Sequence, residues 1–225
     1  MSQGIFVTAT DTGAGKTYFT SLLLRELRAA GVDAVGFKPF CCGDREDAER
    51  LYEACAGVVD LGLINPVWLR VPAAPYTAAL VENRTLDVAT ALDAFQTLSA
   101  RHAFVVVEGV GGWRVPLTDQ MCLSDFAAQL ALPVLVVAAN RLGALNHTQL
   151  TVDSIAARGS VCAGVVLNEP DAAEPDPARI TNLGVLEQLL AVPVWCEVAH
   201  GAGALPAAVL KNLRGQGLLG GAYCG

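Results

Sequence analysis

The segment from residue 9 to residue 17 reads Ala-Thr-Asp-Thr-Gly-Ala-Gly-Lys-Thr. It follows the apolar run Ile5–Thr8, which has the composition of a buried strand, and precedes Tyr18–Ala30, whose apolar spacing predicts a helix. A glycine-rich turn between a strand and a helix presents backbone N–H groups at the positive end of the helix. The segment therefore predicts a phosphate-binding loop.

Individual residues of this loop have separate tasks. Gly13 and Gly15 allow the backbone to approach a phosphate closely, and Lys16 is placed to reach the β- and γ-phosphates of a nucleotide. The hydroxyl of Thr17 is placed to complete the coordination shell of Mg²⁺. The usual spacing has another glycine where Thr10 stands. A glycine-rich turn with a chance Gly-Lys-Thr is the alternative, but the position between a strand and a helix favours phosphate binding.

Composition limits the class of protein. The 225 residues are 53% hydrophobic, and 22 acidic residues against 15 basic ones give a formal charge of −7, which disfavours disorder and a nucleic-acid backbone as main partner. The longest apolar run, Leu130–Ala139, is about half of a membrane span. Seven cysteines without a CxxC pair predict reduced thiols, and no secretory signal is visible at the amino terminus. We expect a cytoplasmic α/β protein.

Short apolar runs alternate with amphipathic stretches along the chain. The predicted strands are Ile5–Thr8, Ala34–Phe37, Phe104–Val107, Val134–Ala138, Val161–Leu167 and Val192–Trp195. The predicted helices are Tyr18–Ala30, Asp47–Ala56, Thr85–Ala100, Leu123–Leu132, Thr148–Ala157 and Thr181–Leu190. Uniformly apolar strands separated by helices predict an α/β fold of three layers around a doubly wound, mainly parallel sheet. We expect one domain over residues 1–225, with a poorly ordered or loosely packed tail over roughly residues 200–225.

A second motif, Phe104–Trp113, reads Phe-Val-Val-Val-Glu-Gly-Val-Gly-Gly-Trp. Glu108 ends a buried strand, where an acidic side chain is costly unless it pairs with a cation or a metal. In a phosphate-loop fold this position coordinates Mg²⁺, directly or through water. The following glycines leave backbone amides open beside a ligand. The alternative is that Glu108 caps the next helix, and the metal interpretation is favoured.

A third motif ends the second predicted strand with Phe-Lys-Pro at residues 37–39. Lys38 projects from the carboxyl edge of the sheet, where open α/β folds bind ligands, and can neutralise a transferring phosphoryl group. A solvated lysine is the alternative. Asp47 opens a predicted helix, so it is either an N-cap or a second carboxylate beside Glu108, and spacing alone leaves both open.

A fourth motif, Asn140–His147, reads Asn-Arg-Leu-Gly-Ala-Leu-Asn-His between a strand and a helix. A glycine turn into a helix N-terminus can hold a carboxylate on free N–H groups. An ordinary helix capped by Asn146 explains the pattern equally well.

In their order and separation, the four motifs resemble those of the dethiobiotin synthetases, over roughly residues 4–168. The resemblance implies a P-loop NTPase fold. It also implies an enzyme that makes dethiobiotin from 7,8-diaminopelargonate, CO₂ and Mg-ATP, through a carbamate that attacks the γ-phosphate and a ring closure by the second amine. It further implies a homodimer in which the backbone of one subunit binds the substrate carboxylate in the active site of the other.

The same resemblance assigns roles to individual residues. It implies catalytic roles for Thr12, Lys16 and Lys38, and nucleotide binding by Gly13, Ala14, Gly15, Lys16, Thr17 and Asn168. It implies Mg²⁺ ligation by Thr17, Asp47 and Glu108, and substrate binding by Thr12, Lys38, Cys42, Gly111, Gly143, Ala144, Leu145 and Asn146.

Three departures from the family pattern bear on specificity. Cys42 stands where a serine or threonine hydroxyl is usual, and a thiol is the weaker hydrogen-bond donor. Cys196 and Ala199 stand where a glycine and a proline are usual near the adenine, so nucleotide preference stays open. The true diamine, and whether the chain is fully active, stay open for the same reasons.

Two other functions remain as alternatives. A partition or cell-division type switch ATPase usually has a lysine early in the loop, where this chain has Asp11, and a basic patch or amphipathic tail that is not evident here. A related ATP-dependent ligase with a drifted substrate is the second alternative.

Overall fold

Six parallel strands form the central sheet in the computed structural model of the chain, which describes residues 3–172, 174 and 176–219. The described strands are β1 (Gln3–Ala9), β2 (Ala34–Phe37), β3 (Phe40–Cys42), β4 (Val67–Leu69), β5 (Phe104–Glu108), β6 (Val134–Ala139), β7 (Cys162–Asn168) and β8 (Val194–Val198). The order across the sheet is β2-β5-β1-β6-β7-β8, and β3 and β4 form a separate parallel pair. The predicted parallel α/β fold is confirmed.

Nine helices lie in the part of the chain that the structure describes. They are α1 (Lys16–Ala29), α2 (Glu46–Ala54), α3 (Leu61–Ile64), α4 (Pro75–Val81), α5 (Val88–Arg101), α6 (Leu123–Leu130), α7 (Ala144–Ala157), α8 (Pro177–Leu189) and α9 (Ala208–Gly215). Every residue of β2, β5 and β6 is buried, as expected when helices cover both faces of a sheet. Within the described residues, no helix is both long and apolar enough to cross a bilayer.

The strand register brings the first three motifs to one edge of the sheet. β1 lies between β5 and β6, and β5 also pairs with β2. Phe37 is the partner of Val107, and Val7 is the partner of Glu108. Lys38, which directly follows β2, therefore emerges beside the end of β5, while the phosphate-binding loop follows β1. The connection after β1 runs to β2 on one side, whereas the connection after β5 crosses to β6 on the other side of β1. The strand order therefore reverses here, and open α/β sheets bind ligands at the carboxyl edge of such a point.

Several elements differ from the sequence prediction. Helix α7 begins at Ala144 rather than Thr148, and α8 begins at Pro177 rather than Thr181. Helix α8 starts early because Asp176 accepts a hydrogen bond from the backbone N–H of Arg179 and proline fits the first helical turn. The prediction missed the short elements β3, β4, α3 and α4, which are too brief to show a period.

The prediction of a loosely packed tail is wrong for the described part of that segment. Helix α9 buries Val209 and Leu213 completely, and Leu205 and Leu219 are less than a tenth exposed. Residues 220–225 lie outside the described residues. Because the buried apolar side chains from Ile5 to Leu219 form one cluster, we propose that the chain is a single domain.

Candidate functional site

The loop between β1 and α1 has the backbone geometry of an anion-binding turn. Gly13 and Gly15 have φ of 75° and 92°, a region that favours glycine. A Cβ on Gly15 would lie 2.2 Å from Nδ2 of Asn168, so a larger residue does not fit there. The first turn of α1 contains no acidic residue, which leaves its positive end free for an anion.

Beside this loop, one lysine joins two carboxylates. Nζ of Lys38 donates to Oδ2 of Asp47 and to Oε1 of Glu108, both at 2.6 Å, and to the carbonyl oxygen of Gly109 at 3.2 Å. Oγ1 of Thr17 lies 2.7 Å from Oδ1 of Asp47 and 2.7 Å from Oε1 of Glu108. Four residues from α1, α2, β5 and the end of β2 thus meet at one point.

These contacts decide two of the alternatives that the sequence left open. Asp47 lies in the first turn of α2, whose N-cap is Arg45, and its carboxylate points to Lys38. Glu108 is fully buried and pairs with Lys38, far in sequence from the start of α6 at Leu123. Both acidic residues are therefore members of the cluster rather than helix caps.

The two lysines of the site have opposite electrostatics. Burial alone lowers the pKa of Lys38, but the carboxylates of Glu108 and Asp47 outweigh burial and raise its pKa above the ordinary value. Burial, aided by the charge of Lys38, lowers the pKa of Lys16 to about 8. Asp47 also loses solvent, yet Lys38 lowers the pKa of its carboxyl below the usual range. Lys38 therefore keeps its positive charge. Lys16 has less negative charge around it, so a bound anion would stabilise its charged form.

A cavity of about 570 Å³ opens beside the cluster. Its lining residues are Thr12, Gly13, Gly15, Lys16, Thr17, Tyr18, Lys38, Asp47, Arg50, Pro72, Ala73, Ala74, Pro75, Val110, Gly111 and Val115. One part of the wall carries the phosphate-loop residues and both lysines, and another part is apolar. Such a cavity can take an anionic reacting group together with an aliphatic chain.

A smaller cavity of about 250 Å³ lies on the other side of the loop and shares Gly13, Gly15 and Tyr18 with the first. Asn168 lines it, donates from Nδ2 to the carbonyl oxygen of Ala14 at 3.1 Å, and keeps a buried Oδ1 without a partner. A buried acceptor without a donor is costly, so it indicates a ligand that donates there. A nucleobase with an amino group meets that requirement.

Other candidate residues lie away from the larger cavity. Gly143–Asn146 form the start of α7, with Gly143 as N-cap at φ 93°, and do not line the cavity of their own chain. Asn146 lies inside the helix, so the alternative that it caps α7 is wrong. Cys42 is partly buried at the end of β3, outside the lining, and burial raises the pKa of its thiol to about 11. Ala199 lines a separate cavity of about 490 Å³.

The sequence did not point to part of the cavity wall. Pro72–Pro75 and Val115 form most of its apolar part, and no motif distinguishes them from ordinary loop residues. Arg50 is different, because it lies three residues after Asp47 and therefore on the same face of α2. Its three-residue spacing from Asp47 could therefore have identified Arg50 as a site residue from the sequence.

The oxygen atoms of the cluster suit a magnesium ion. Among the described residues there is no group of three or more His, Cys, Asp or Glu side chains that could hold a metal. Mg²⁺ commonly uses only one or two carboxylates and takes its other ligands from substrate phosphates and water. Oε2 of Glu108 is buried without a partner, and Asp47 and Thr17 add oxygen atoms at the same point. The donor set therefore fits Mg²⁺.

Comparison with known proteins finds relatives whose sequences align with most of the chain. A family model described as an AAA domain matches residues 3–201. A protein of Akkermansia muciniphila described as ATP-dependent dethiobiotin synthetase BioD is 46% identical over 199 residues, which cover 88% of this chain and 93% of that protein. A protein of Anaeromyxobacter dehalogenans strain 2CP-C with the same description is 45% identical over 221 residues, covering 94% of this chain and 99% of that one.

Solved structures with low sequence identity share the fold. The septum site-determining protein MinD of Pyrococcus horikoshii, complexed with Mg-ADP, superposes with a TM-score of 0.55 at 15% identity and covers 88% of this chain and 82% of that one. A ParA family ATPase of Chlorobium tepidum gives a TM-score of 0.53 at 12% identity, and the match covers 97% of this chain and 92% of that one. These likenesses establish the P-loop NTPase fold and carry no further assignment.

Proposed function

The chain belongs to the family of ATP-dependent dethiobiotin synthetases, and from that premise we propose that it converts 7,8-diaminopelargonate, CO₂ and ATP into dethiobiotin, ADP and phosphate. The main support for this proposal is one observation: Lys16, Lys38 and Thr17 line one side of a cavity whose other side is apolar. The switch-ATPase alternative has only a likeness of fold in its favour.

The reaction proceeds in three steps. One amine of the substrate attacks CO₂ and loses a proton, which gives a carbamate anion. An oxygen of the carbamate attacks the γ-phosphorus of ATP, ADP leaves, and a carbamic-phosphoric anhydride forms. The second amine attacks the carbonyl carbon of the anhydride and loses a proton, the C–O bond to the phosphoryl group breaks, and phosphate leaves with the electron pair of that bond as the cyclic urea closes.

The two lysines stabilise the negative charge that moves through these steps. Lys16 follows the phosphate loop and meets the β- and γ-phosphates, while Lys38 meets the carbamate and the phosphoryl group, with Thr12 beside them. All three N–H bonds of Lys38 are engaged, by Asp47, Glu108 and Gly109. Lys38 therefore exchanges one of these partners for the substrate anion.

The residues beside the two lysines would hold magnesium and the nucleotide. Thr17, Asp47 and Glu108 would hold Mg²⁺, which neutralises phosphate charge when it is bound. The backbone of Gly13, Ala14, Gly15, Lys16 and Thr17 surrounds the phosphates, and Asn168 accepts from the amino group of adenine. Gly111, with φ 59°, lies in the cavity wall and would face the carbamate.

The substrate carboxylate binds at the start of α7 of a second subunit, on the backbone of Gly143, Ala144, Leu145 and Asn146. Two observations support this homodimer: these residues do not line the cavity of their own chain, and the neighbouring Leu142 and Leu150 are 83% and 60% exposed. An exposed leucine just before α7 and another within that helix suit a subunit interface. Cys42, at the end of β3 and outside the lining of the cavity, is the remaining candidate for substrate binding.

A cytoplasmic location completes the proposal. The six cysteines within the described ranges are free thiols, which suits a reducing compartment. The partners are small molecules and a second copy of the chain.

Mass spectrometry of the reaction products tests the function. The purified protein is incubated with Mg-ATP, bicarbonate and 7,8-diaminopelargonate, and each component is omitted in turn. We expect dethiobiotin that depends on every component and matches the ADP released. Folded protein that binds Mg-ATP without making dethiobiotin would refute the substrate assignment.

The affinity for ATP is expected to fall as the pH rises above about 8, the pKa of Lys16 in the free protein. Phosphates bind the charged amine, so each pH unit above that value weakens binding by up to about tenfold until the lysine of the complex also titrates. Titration calorimetry between pH 7 and 9.5 measures the effect. Lys16→Arg stays charged over this range, and its affinity should therefore not show the decline.

Two inactive variants are expected to restore activity when combined in one dimer. Lys16→Met disables the phosphate loop, and Gly143→Val strains the start of α7, where φ is 93°. A hybrid dimer isolated through two different tags contains one intact composite site, so about half of the wild-type activity per dimer should return. Steady-state rates of the hybrid and of both parent dimers provide the comparison, and an inactive hybrid would contradict the shared site.

A further inference from the structure

Arg50 is a cation on the wall of the 570 Å³ cavity that the proposed mechanism does not use. It lies on α2 one turn after Asp47, and residues three apart occupy the same face of a helix. The Asp47 carboxylate contacts both Lys38 and Thr17. Arg50 therefore belongs to the end of the cavity where the phosphates are expected.

The present partner of Arg50 holds it weakly. Its guanidinium donates to Glu46 from Nε at 3.1 Å and from Nη2, and the two side chains are 53% and 60% exposed. Surface pairs of this i,i+4 kind contribute little to stability. Breaking the pair with Glu46, so that Arg50 binds a doubly charged ligand instead, would therefore cost little free energy.

The other cations of the cavity are already committed. Lys38 has two carboxylates and a carbonyl oxygen on its three N–H bonds. Lys16 is less than a tenth exposed and is assigned to the β- and γ-phosphates. Arg50 is thus, among the described residues of the wall, the cation most free to follow a group that moves during the reaction. Its planar fork also suits two oxygen atoms of one phosphoryl group.

We propose that Arg50 leaves Glu46 to bind the terminal phosphoryl group of ATP and stays with that group as it passes to the carbamate. The second half of this statement rests on the proposed function. The contact with ATP does not, because it requires the nucleotide alone.

Comparing the affinities for ATP and ADP tests the contact. With Mg²⁺ present, Arg50→Gln should weaken ATP binding by about tenfold or more, as expected for a lost charge-assisted hydrogen bond, while the Kd for ADP stays within about twofold. Titration calorimetry gives both values without any diamine. The same variant should lower kcat/KM for ATP by at least the same factor, and Arg50→Lys should recover part of the loss.

Two control variants separate this role from a surface effect. Arg84 is also 53% exposed and also pairs with a glutamate, Glu82, but does not line the cavity. Arg84→Gln should leave both affinities unchanged. Glu46→Gln removes only the competing partner and should keep or tighten ATP binding.

The proposal is overturned if Arg50→Gln weakens ATP and ADP equally, or weakens neither. Failure of the dethiobiotin assay would refute the proposed function while leaving the difference between ATP and ADP intact. The two failures are therefore distinguishable.

Discussion

Replacing Lys38 with methionine is expected to abolish dethiobiotin formation and also to destabilise the protein. The substitution leaves Glu108, which is fully buried, without its cation, and leaves Asp47 without its closest partner. Removing one member of a buried charge cluster typically costs about 3–5 kcal/mol of unfolding free energy. Turnover should fall roughly a thousandfold or more, since a cation at the transferring group is lost. Product analysis and denaturant unfolding at pH 7 measure the two effects.

A second substitution separates the chemical loss from the structural one. Lys38→Met combined with Glu108→Gln removes the unpaired buried charge, so it should recover part of the unfolding free energy and none of the turnover. Near-normal ring closure by the folded Lys38→Met protein would show that Lys38 has no part in the reaction. A single variant as stable as the wild type would contradict the stabilising role of Lys38 in the folded protein.

The position of this cluster could be predicted in part from the sequence. Lys38 and Glu108 each directly end a buried apolar run, and parallel strands bring such ends to one edge of a sheet. The role of Asp47 could not be predicted in this way. An acidic residue near a helix start is either a helix cap or a metal ligand, depending on how the helix packs against its neighbours. Only the packing of α2 against α1 decides that question, and sequence spacing contains no information on it.

The missed elements have physical reasons of their own. Helix α7 begins at a left-handed glycine with no side-chain cap, so the usual start signal is absent. In α9, Val209 and Leu213 are four residues apart, as a helix requires, but the glycines around them obscured the pattern. The apolar wall of the cavity at Pro72–Ala74 comes from the loop before α4, where no periodicity exists to be found. Local motifs thus identified the phosphate end of the site better than the other end.

Replacing Lys16 with methionine is expected to abolish turnover without loss of stability. The phosphates lose the cation nearest the loop, so the rate should fall roughly a thousandfold or more. Folding should not suffer, because burial lowers the pKa of Lys16 and the charge is therefore unfavourable in the free protein. Methionine keeps the apolar part of the side chain. Steady-state assays together with thermal unfolding of the nucleotide-free protein measure both quantities.

The pH dependence of the unfolding free energy should differ between the wild type and Lys16→Met in a definite direction. With a folded pKa of about 8 against an ordinary 10.5, the folded protein binds fewer protons than the unfolded chain between those two values. The wild type therefore gains stability as the pH rises through that window, and Lys16→Met lacks the gain. The variant should exceed the wild type by roughly 3 kcal/mol at most near pH 7, and the difference should shrink toward pH 10. A variant less stable than the wild type at pH 7 would mean that Lys16 has a partner in the folded protein, as Lys38 does. Removing either lysine should then stop the chemistry, but only the loss of Lys38 should also weaken the fold.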